Sequence, residues 1–421
     1  MVGGVALYSV SKSTCNGVAF IVLTIIVFLS PTLIQVTGNS YLKMIGDLAY
    51  LLMFLFSVYL LFQRHDISIM VSKKVFTLIV SAIVFVLIGI YYNGISMIIL
   101  QFREFKYLLL LVIVLPYNKV EYFRNIWITL KIIAAMCIPI SIIQWYIYKD
   151  NGDFDFVSGL LGEKQSATLT MFVLIIFFTE MGIRLINNKN IIGAYFFYLI
   201  PTALNETKIT LVLFPVMLIS TLFLTKKFKL KVIIPIILLA ALFLSYWVNT
   251  YTSAAGKSFV SVFTKEYIQD YLFATNWSND VGRFAKIAYG FKLINNNAFF
   301  GYGLGASYYG ETSGMKGYIW DKFYINNPLM FSGTRIQLFD IIIDSGLIGT
   351  VIVSLILAIL FIKLTRSKTL NLEKLIAVNS IIVVIFGFVY IQIFHTYQIM
   401  YILVLYTFIY LRFYSAKSNT E

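Results

Sequence analysis

Basic side chains stand at several places where an apolar chain has no ordinary use for them. Arg103 and Lys106 lie three residues apart in QFREFKY and would share one helix face. Lys208 sits in NETK between two apolar runs, Arg283, Lys286 and Lys292 lie in a long polar segment, and Arg335 precedes another apolar run. Any one of them could snorkel to a lipid headgroup. As a set from four separate stretches, they point instead to one shared anionic ligand. Phosphate or pyrophosphate suits the arginine fork particularly well.

Carboxylates accompany these cations. After Arg335, the side chains of Gln337, Asp340 and Asp344 fall on one face of an otherwise apolar helix, and Glu206 stands beside Lys208. Ionisable groups at membrane depth are costly enough to imply a partner or a cavity. A carboxylate among them could take a proton from a substrate hydroxyl. Glu206, Asp340 and Asp344 are all candidates, with Glu206 slightly favoured. Asp47 and His395 read as isolated polar groups in packing roles. In FFGYGLGASYYG, Gly301, Gly303 and Gly305 alternate around Tyr302, which predicts a tight turn and a close backbone approach to a ligand. No strand precedes this turn, so a nucleotide fingerprint is not expected. Segment 282–297 reads as an amphipathic helix with Phe284, Ile287, Ala288, Phe291 and Ile294 on its apolar face. Arg283 and Lys286 would flank that face at headgroup depth.

These residues are carried by a strongly apolar chain. Of 421 residues, 60% are hydrophobic and 12% charged, and the mean hydropathy is +0.85. A soluble domain carries about twice that charge fraction, so a water-soluble globule is excluded. Runs of the roughly 20 apolar residues that a spanning helix needs recur at 17–36, 41–63, 75–92, 98–117, 125–148, 166–183, 190–205, 208–225, 232–250, 336–363, 374–395 and 397–415. The predicted fold is therefore all-α and polytopic, with about twelve transmembrane helices. Lys and Arg fall on alternate connections, among them Lys226/Lys227/Lys229/Lys231 and Lys363/Arg366/Lys368/Lys374. The positive-inside rule then places both termini in the cytoplasm and accounts for most of the net charge of +14 without nucleic acid. Segment 251–335 becomes one large outer loop rich in Tyr, Phe and Trp, which suggests an ordered cap between helices in 1–250 and those in 336–421. The N-terminus lacks a cleavable-signal pattern, so the first span is expected to stay as an anchor. Two cysteines, Cys15 and Cys137, and two histidines, His65 and His395, predict neither a disulfide framework nor a metal or cofactor site.

The order of these features resembles the shared region of O-antigen polymerases and O-antigen ligases. Arg283, a helix, NNNAFFGYGLG, a variable outer stretch and IQLFDIIIDSGLIG follow the family's sequence of elements over 283–349. Asn297-Ala298 replaces the family's Asn-Pro, whereas Asp344-Ser345-Gly346-Leu347-Ile348-Gly349 fits closely. Thr207-Lys208 occupies the place of a Ser-Arg pair, and GLLGEKQSA (159–167) is similar to the family's loop before the sixth span. Ligases carry a His nine residues before the final acidic residue. Here that place holds Arg335, which cannot act as a base, so the resemblance favours a polymerase and leaves the base unassigned.

The resemblance implies a C-type glycosyltransferase-like fold in the bacterial inner membrane, active on the periplasmic side. A polymerase would transfer a growing glycan from undecaprenyl pyrophosphate to the non-reducing end of an incoming lipid-linked repeat unit, without metal and with inversion. Arg283, Lys208, Arg335, Glu206 and Asp340 would be its catalytic residues. Arg103, Lys106, Lys286, Gly301, Tyr302, Gly303, Gly305 and Asp344 would bind substrate. The undecaprenyl-pyrophosphate-linked oligosaccharide would be both donor and acceptor, and a chain-length regulator membrane protein is a further implied partner. The alternatives are an O-antigen ligase and a flippase of lipid-linked oligosaccharide. Transporters commonly show repeated halves, and none is visible in this sequence.

Overall fold

A computed structural model describes residues 3–37, 42–63, 73–117, 120–149, 154–162, 164–187, 196–205, 207, 209–226, 265, 269, 272–274, 281–309, 315–324, 335–367 and 369–414. The expected ninth span, 232–250, most of 251–280, and both Glu206 and Lys208 lie outside these residues. The described chain is helical, with one isolated bridge between Tyr309 and Lys316. Its helices are α1 (Gly3–Thr37), α2 (Leu42–Gln63), α3 (Lys73–Glu104), α4 (Leu110–Ile113), α5 (Glu121–Tyr148), α6 (Ser166–Ile186), α7 (Ile200–Leu204), α8 (Thr210–Thr225), α9 (Arg283–Leu293), α10 (Tyr318–Phe323), α11 (Gln337–Arg366), α12 (Leu372–Tyr390) and α13 (Tyr397–Phe413).

Seven of these, α1, α2, α3, α5, α6, α11 and α12, are long and apolar enough to cross a membrane, and α8 and α13 are shorter apolar helices. Only a helix satisfies all of its own backbone groups in lipid, so long apolar runs of this kind become helices. The chain is thus an α-helical, multi-pass membrane protein. α6 and α12 form its centre and are the most buried of these helices. They pack on each other and on α8 and α13, while α1, α2 and α5 stand outside them. On these outer helices Leu52, Tyr59, Ile132 and Ile143 are exposed, the surface expected where lipid is the solvent.

Two expected elements differ. The run 98–117 is not one helix: α3 continues to Glu104, a 3-10 turn covers Lys106–Leu109, and α4 follows. Within α3 the backbone is non-helical at Gly94, where φ is 76° and ψ is 165°. The seventh run, 190–205, contributes a 3-10 turn over Phe196–Leu199 and the short α7 among its described residues. Pro201 at the first turn of α7 suits a helix start.

The described residues of the segment expected as a cap form a second, small apolar core with α11. Ile287 and Leu293 of α9, Tyr302, Ala306, Ile319, Trp320, Ile336 and the outer turns of α11 pack together. α9 is the predicted helix, but of its predicted apolar face only Ile287 and Ile294 are buried. Lys286, Ile287, Gly290 and Leu293 are buried, whereas Phe284, Ala288 and Phe291 are exposed. Gly290 lies against Phe339 and Ile342, so α9 packs on α11 through its inner face.

The cap is joined to the bundle through glycines. Gly301, Gly303 and Gly305 all have positive φ, as their spacing predicts. Their close backbone approach, however, is to the protein itself. A Cβ on Gly303 would stand 2.1 Å from the Gly89 nitrogen of α3, and one on Gly301 would stand 2.3 Å from the Ile343 carbonyl of α11. The backbone N–H of Tyr302 donates to Ile343 at 2.8 Å, and that of Leu304 donates to Phe85 at 3.2 Å. α11 itself breaks at Gly346 (φ 61°), freeing the N–H groups of Leu347 and Ile348 to donate to Ala298 and Phe299. Beyond the break, 347–366 is still long enough to cross the hydrocarbon core at about 1.5 Å per residue.

Gly303→Ala must add left-handed strain to a backbone collision, and is expected to cost about 3 kcal/mol or more. Gly94→Ala meets no atom within 4 Å and carries the backbone strain alone, about 1–3 kcal/mol. Thermal unfolding of the detergent-solubilised variants should rank them in that order.

Candidate functional site

The polar groups of the cap end converge on the six-residue connection between α12 and α13, residues 391–396. α12 ends at Tyr390, and the chain extends at Ile391, forms a 3-10 turn over Ile393–His395 and enters α13 at Tyr397. Ile393 is fully buried against Gly387, where a Cβ would stand 2.8 Å from its side chain. That anchor fixes the connection, and its polar groups then reach other elements. The Ile391 carbonyl accepts from the Gln337 N–H at 3.0 Å, and the Gln337 Oε1 accepts from the Phe394 N–H at 3.0 Å. Gln392 Nε2 donates to Asp340 Oδ2. Tyr390, at the end of α12, lies under the guanidinium of Arg283 at 5.6 Å.

Arg335 is set at the head of α11 by this framework. Its Nη2 donates to the Ser307 carbonyl at 2.5 Å and stands 3.2 Å from Asp340 Oδ1. The guanidinium also lies over the Trp320 ring at 5.4 Å, whose indole N–H donates to the same Ser307 carbonyl at 3.0 Å. Both polar contacts use Nη2, and a guanidinium carries donors on three nitrogens. The group can therefore stay in place and still grip a second anion. One turn further along α11, Asp344 accepts from the Ser307 N–H at 2.8 Å, the Ser307 hydroxyl at 3.0 Å and Gln101 Nε2 at 2.6 Å. Asp344 is buried and Asp340 still more so. The polar stripe predicted on α11 thus exists: Gln337 and Asp340 are tied to the connection, and Asp344 to the cap and α3.

The second cluster forms where α3 ends. Asp47, near the start of α2, accepts from Arg103 Nε on Oδ2 and from Lys106 Nζ on Oδ1, each at 2.5 Å. Glu104, between those two cations in sequence, points to the other side. It accepts the hydroxyl of Tyr397 and stands 3.6 Å from His395 Nδ1. Lys106 also lies over the Tyr397 ring at 4.2 Å. Tyr308 links the two clusters. Burial pushes its phenol above the ordinary value and Glu104 adds to the rise, while Arg103 and Arg335 oppose it, so it lies within electrostatic reach of all three.

The structure therefore brings together Arg103, Lys106, Arg335, Asp340, Asp344 and Arg283 around α11 and the connection. Three readings are corrected. Lys286 is buried on the inner side of α9, not at its headgroup-facing edge. The predicted close approach of Gly301, Gly303 and Gly305 is made to α3 and α11, and Tyr302 is buried between Tyr92 and Tyr318, its hydroxyl donating to Leu293. Asp47 and His395 are not isolated packing residues. Sequence reasoning also missed Glu104, Tyr308, Trp320 and Gln392. A carboxylate inside QFREFKY was visible, but its partner stands 291 positions away by number, at His395. No local pattern shows that pairing.

Comparison with family models, with curated proteins and with solved structures finds no match to this chain.

Asp344→Ala removes the acceptor of three hydrogen bonds and is expected to cost about 3 kcal/mol or more. Asp344→Asn keeps one acceptor oxygen and should cost roughly half as much. Thermal unfolding together with limited proteolysis around 299–309 would read both effects, with faster cleavage expected in the alanine variant.

Proposed function

We propose that the chain is a repeat-unit polymerase of lipid-linked polysaccharide in the bacterial inner membrane. It transfers a growing glycan from undecaprenyl pyrophosphate to the non-reducing end of an incoming lipid-linked repeat unit at the periplasmic face. The observation that carries this reading is the placement of Arg335. It is held by Trp320, Ser307 and Asp340 at the head of the same helix that bears Asp344-Ser345-Gly346-Leu347-Ile348-Gly349, the motif of the family resemblance.

The chemistry required is departure of a pyrophosphate from an anomeric carbon. Negative charge grows on the leaving oxygen, and preorganised cations lower the barrier by meeting it. Arg335 is fixed before substrate arrives, and Arg103 keeps its terminal nitrogens while Nε holds Asp47. Lys106 and Arg283 add charge at the same end. Tyr309, stacked on Trp320 at 4.4 Å, and the exposed Phe299 and Phe300 offer faces for sugar rings. A chain-length regulator would bind elsewhere on the bundle.

Purified protein given its undecaprenyl-pyrophosphate-linked repeat unit is expected to build a glycan ladder on a gel. Arg335→Ala should slow it by about 100-fold or more, the loss typical of removing one charge-stabilising donor, and Arg335→Lys should recover only part. An unchanged ladder from a folded Arg335→Ala protein would remove the basis of this reading. Movement of intact substrate across a vesicle membrane without lengthening would replace it with the transporter.

A further inference from the structure

A transferase of this kind needs a group to take the proton of the attacking hydroxyl, and the carboxylates singled out on α11 are poorly placed for it. Both oxygens of Asp340 are engaged, one by Arg335 and the other by Gln392, and its side chain is 1% exposed. Both oxygens of Asp344 are engaged by Ser307 and Gln101. Their work is to hold the cap and Arg335 in place.

His395 is placed differently. It is the last residue of the 3-10 turn in the connection, and 21% of its side chain is exposed. Its Nδ1 faces Glu104 Oε2 at 3.6 Å. The same Oε2 of Glu104 also accepts the Tyr397 hydroxyl, which fixes the carboxylate in place. A carboxylate facing Nδ1 favours the neutral tautomer with its proton on that nitrogen, which leaves the lone pair on Nε2. Among the described residues, the charged and titratable groups around the pair include Glu104 from α3, Lys106 and Tyr107 from the turn after it, Tyr308 from the cap, Tyr397 from α13 and Asp47 with Arg103 behind them. The same connection holds Asp340 through Gln392, so His395 and Arg335 are positioned by one piece of backbone, and Tyr308 lies within reach of both Glu104 and Arg335.

We propose that His395 is the general base of the transfer and that Glu104 is the residue that positions it. The inference rests on the polymerase reading above. As the acceptor hydroxyl oxygen attacks the anomeric carbon of the donor sugar, its proton passes to Nε2. The new glycosidic C–O bond forms on one face of that carbon. The bond from carbon to phosphate oxygen breaks on the other, and its electron pair leaves with the polyprenyl pyrophosphate toward Arg335 and Arg103. The imidazolium, offset by Glu104 while it exists, returns the proton to solvent.

The test is ladder formation from the lipid-linked repeat unit across a pH series, with kcat and KM measured separately. Folding of each variant is checked by thermal unfolding. His395→Ala is expected to lower kcat by about 100-fold or more with little change in KM. It should abolish the acidic limb of the rate profile, and added imidazole should restore part of the rate. Glu104→Gln should lower kcat by about 10-fold and displace the acidic limb, and Glu104→Asp should recover part of that loss. His395→Gln replaces the alanine variant if the latter does not fold. If wild type lengthens the glycan and folded His395 variants keep its rate and pH profile, the base assignment fails and the polymerase reading stands. If wild type itself builds no ladder, the polymerase reading falls and this assignment falls with it.

Discussion

The connection between α12 and α13 leaves helical geometry inside an apolar protein, so its polar groups need partners from elsewhere in the chain. Burial of Ile393 against Gly387 fixes where it runs. Its carbonyl at Ile391 and its N–H at Phe394 then hold Gln337, its Gln392 holds Asp340, and its His395 faces Glu104. α3 and α11, which are far apart in sequence, are both set relative to α12 and α13 by this one turn. Arg335 takes its position from the same framework, because the Asp340 that faces it is itself held by Gln392.

The glycine joint does the corresponding work for the cap. Backbone packed directly on backbone leaves no room for a side chain, so 301–305 can sit only where α3 and α11 present their own glycines, Gly89 and Gly346. The result is rigid attachment of Ser307 two residues beyond the last glycine of the turn. Ser307 is the point at which Arg335, Trp320 and Asp344 meet. A functional loop in a membrane protein must be ordered without a large core of its own, and here the bundle supplies the order.

Charge at the cap end is close to paired. Asp47 answers Arg103 and Lys106, Asp340 answers Arg335, and Glu104 stands with Tyr397 and His395. The partly exposed pairs that Asp47 makes contribute modest stability, about 1 kcal/mol or less each. Their larger effect is geometric: each carboxylate uses only part of its cation and fixes the remainder in direction. A preorganised cation pays no reorganisation when an anion arrives, which is the condition for stabilising charge as it develops.

Much of this was legible in the sequence, for a physical reason. Long apolar runs can satisfy their backbone only as helices, so the membrane fold, the positive φ of Gly301, Gly303 and Gly305, the helix after Gly282 and the polar face of α11 all follow from local pattern. The pairing of Arg335 with Asp340 is likewise local, five residues apart. What the sequence could not determine was which side of α9 turns inward, what the glycines approach, and which residues answer Asp47 and Glu104. Those outcomes depend on contacts between segments far apart in the chain, Asp47 with Arg103 and Glu104 with His395 among them. Periodicity within one helix carries no information about them, because the partner is selected by how whole helices pack. The tertiary structure alone decided that a lone histidine in the sequence would stand beside a carboxylate.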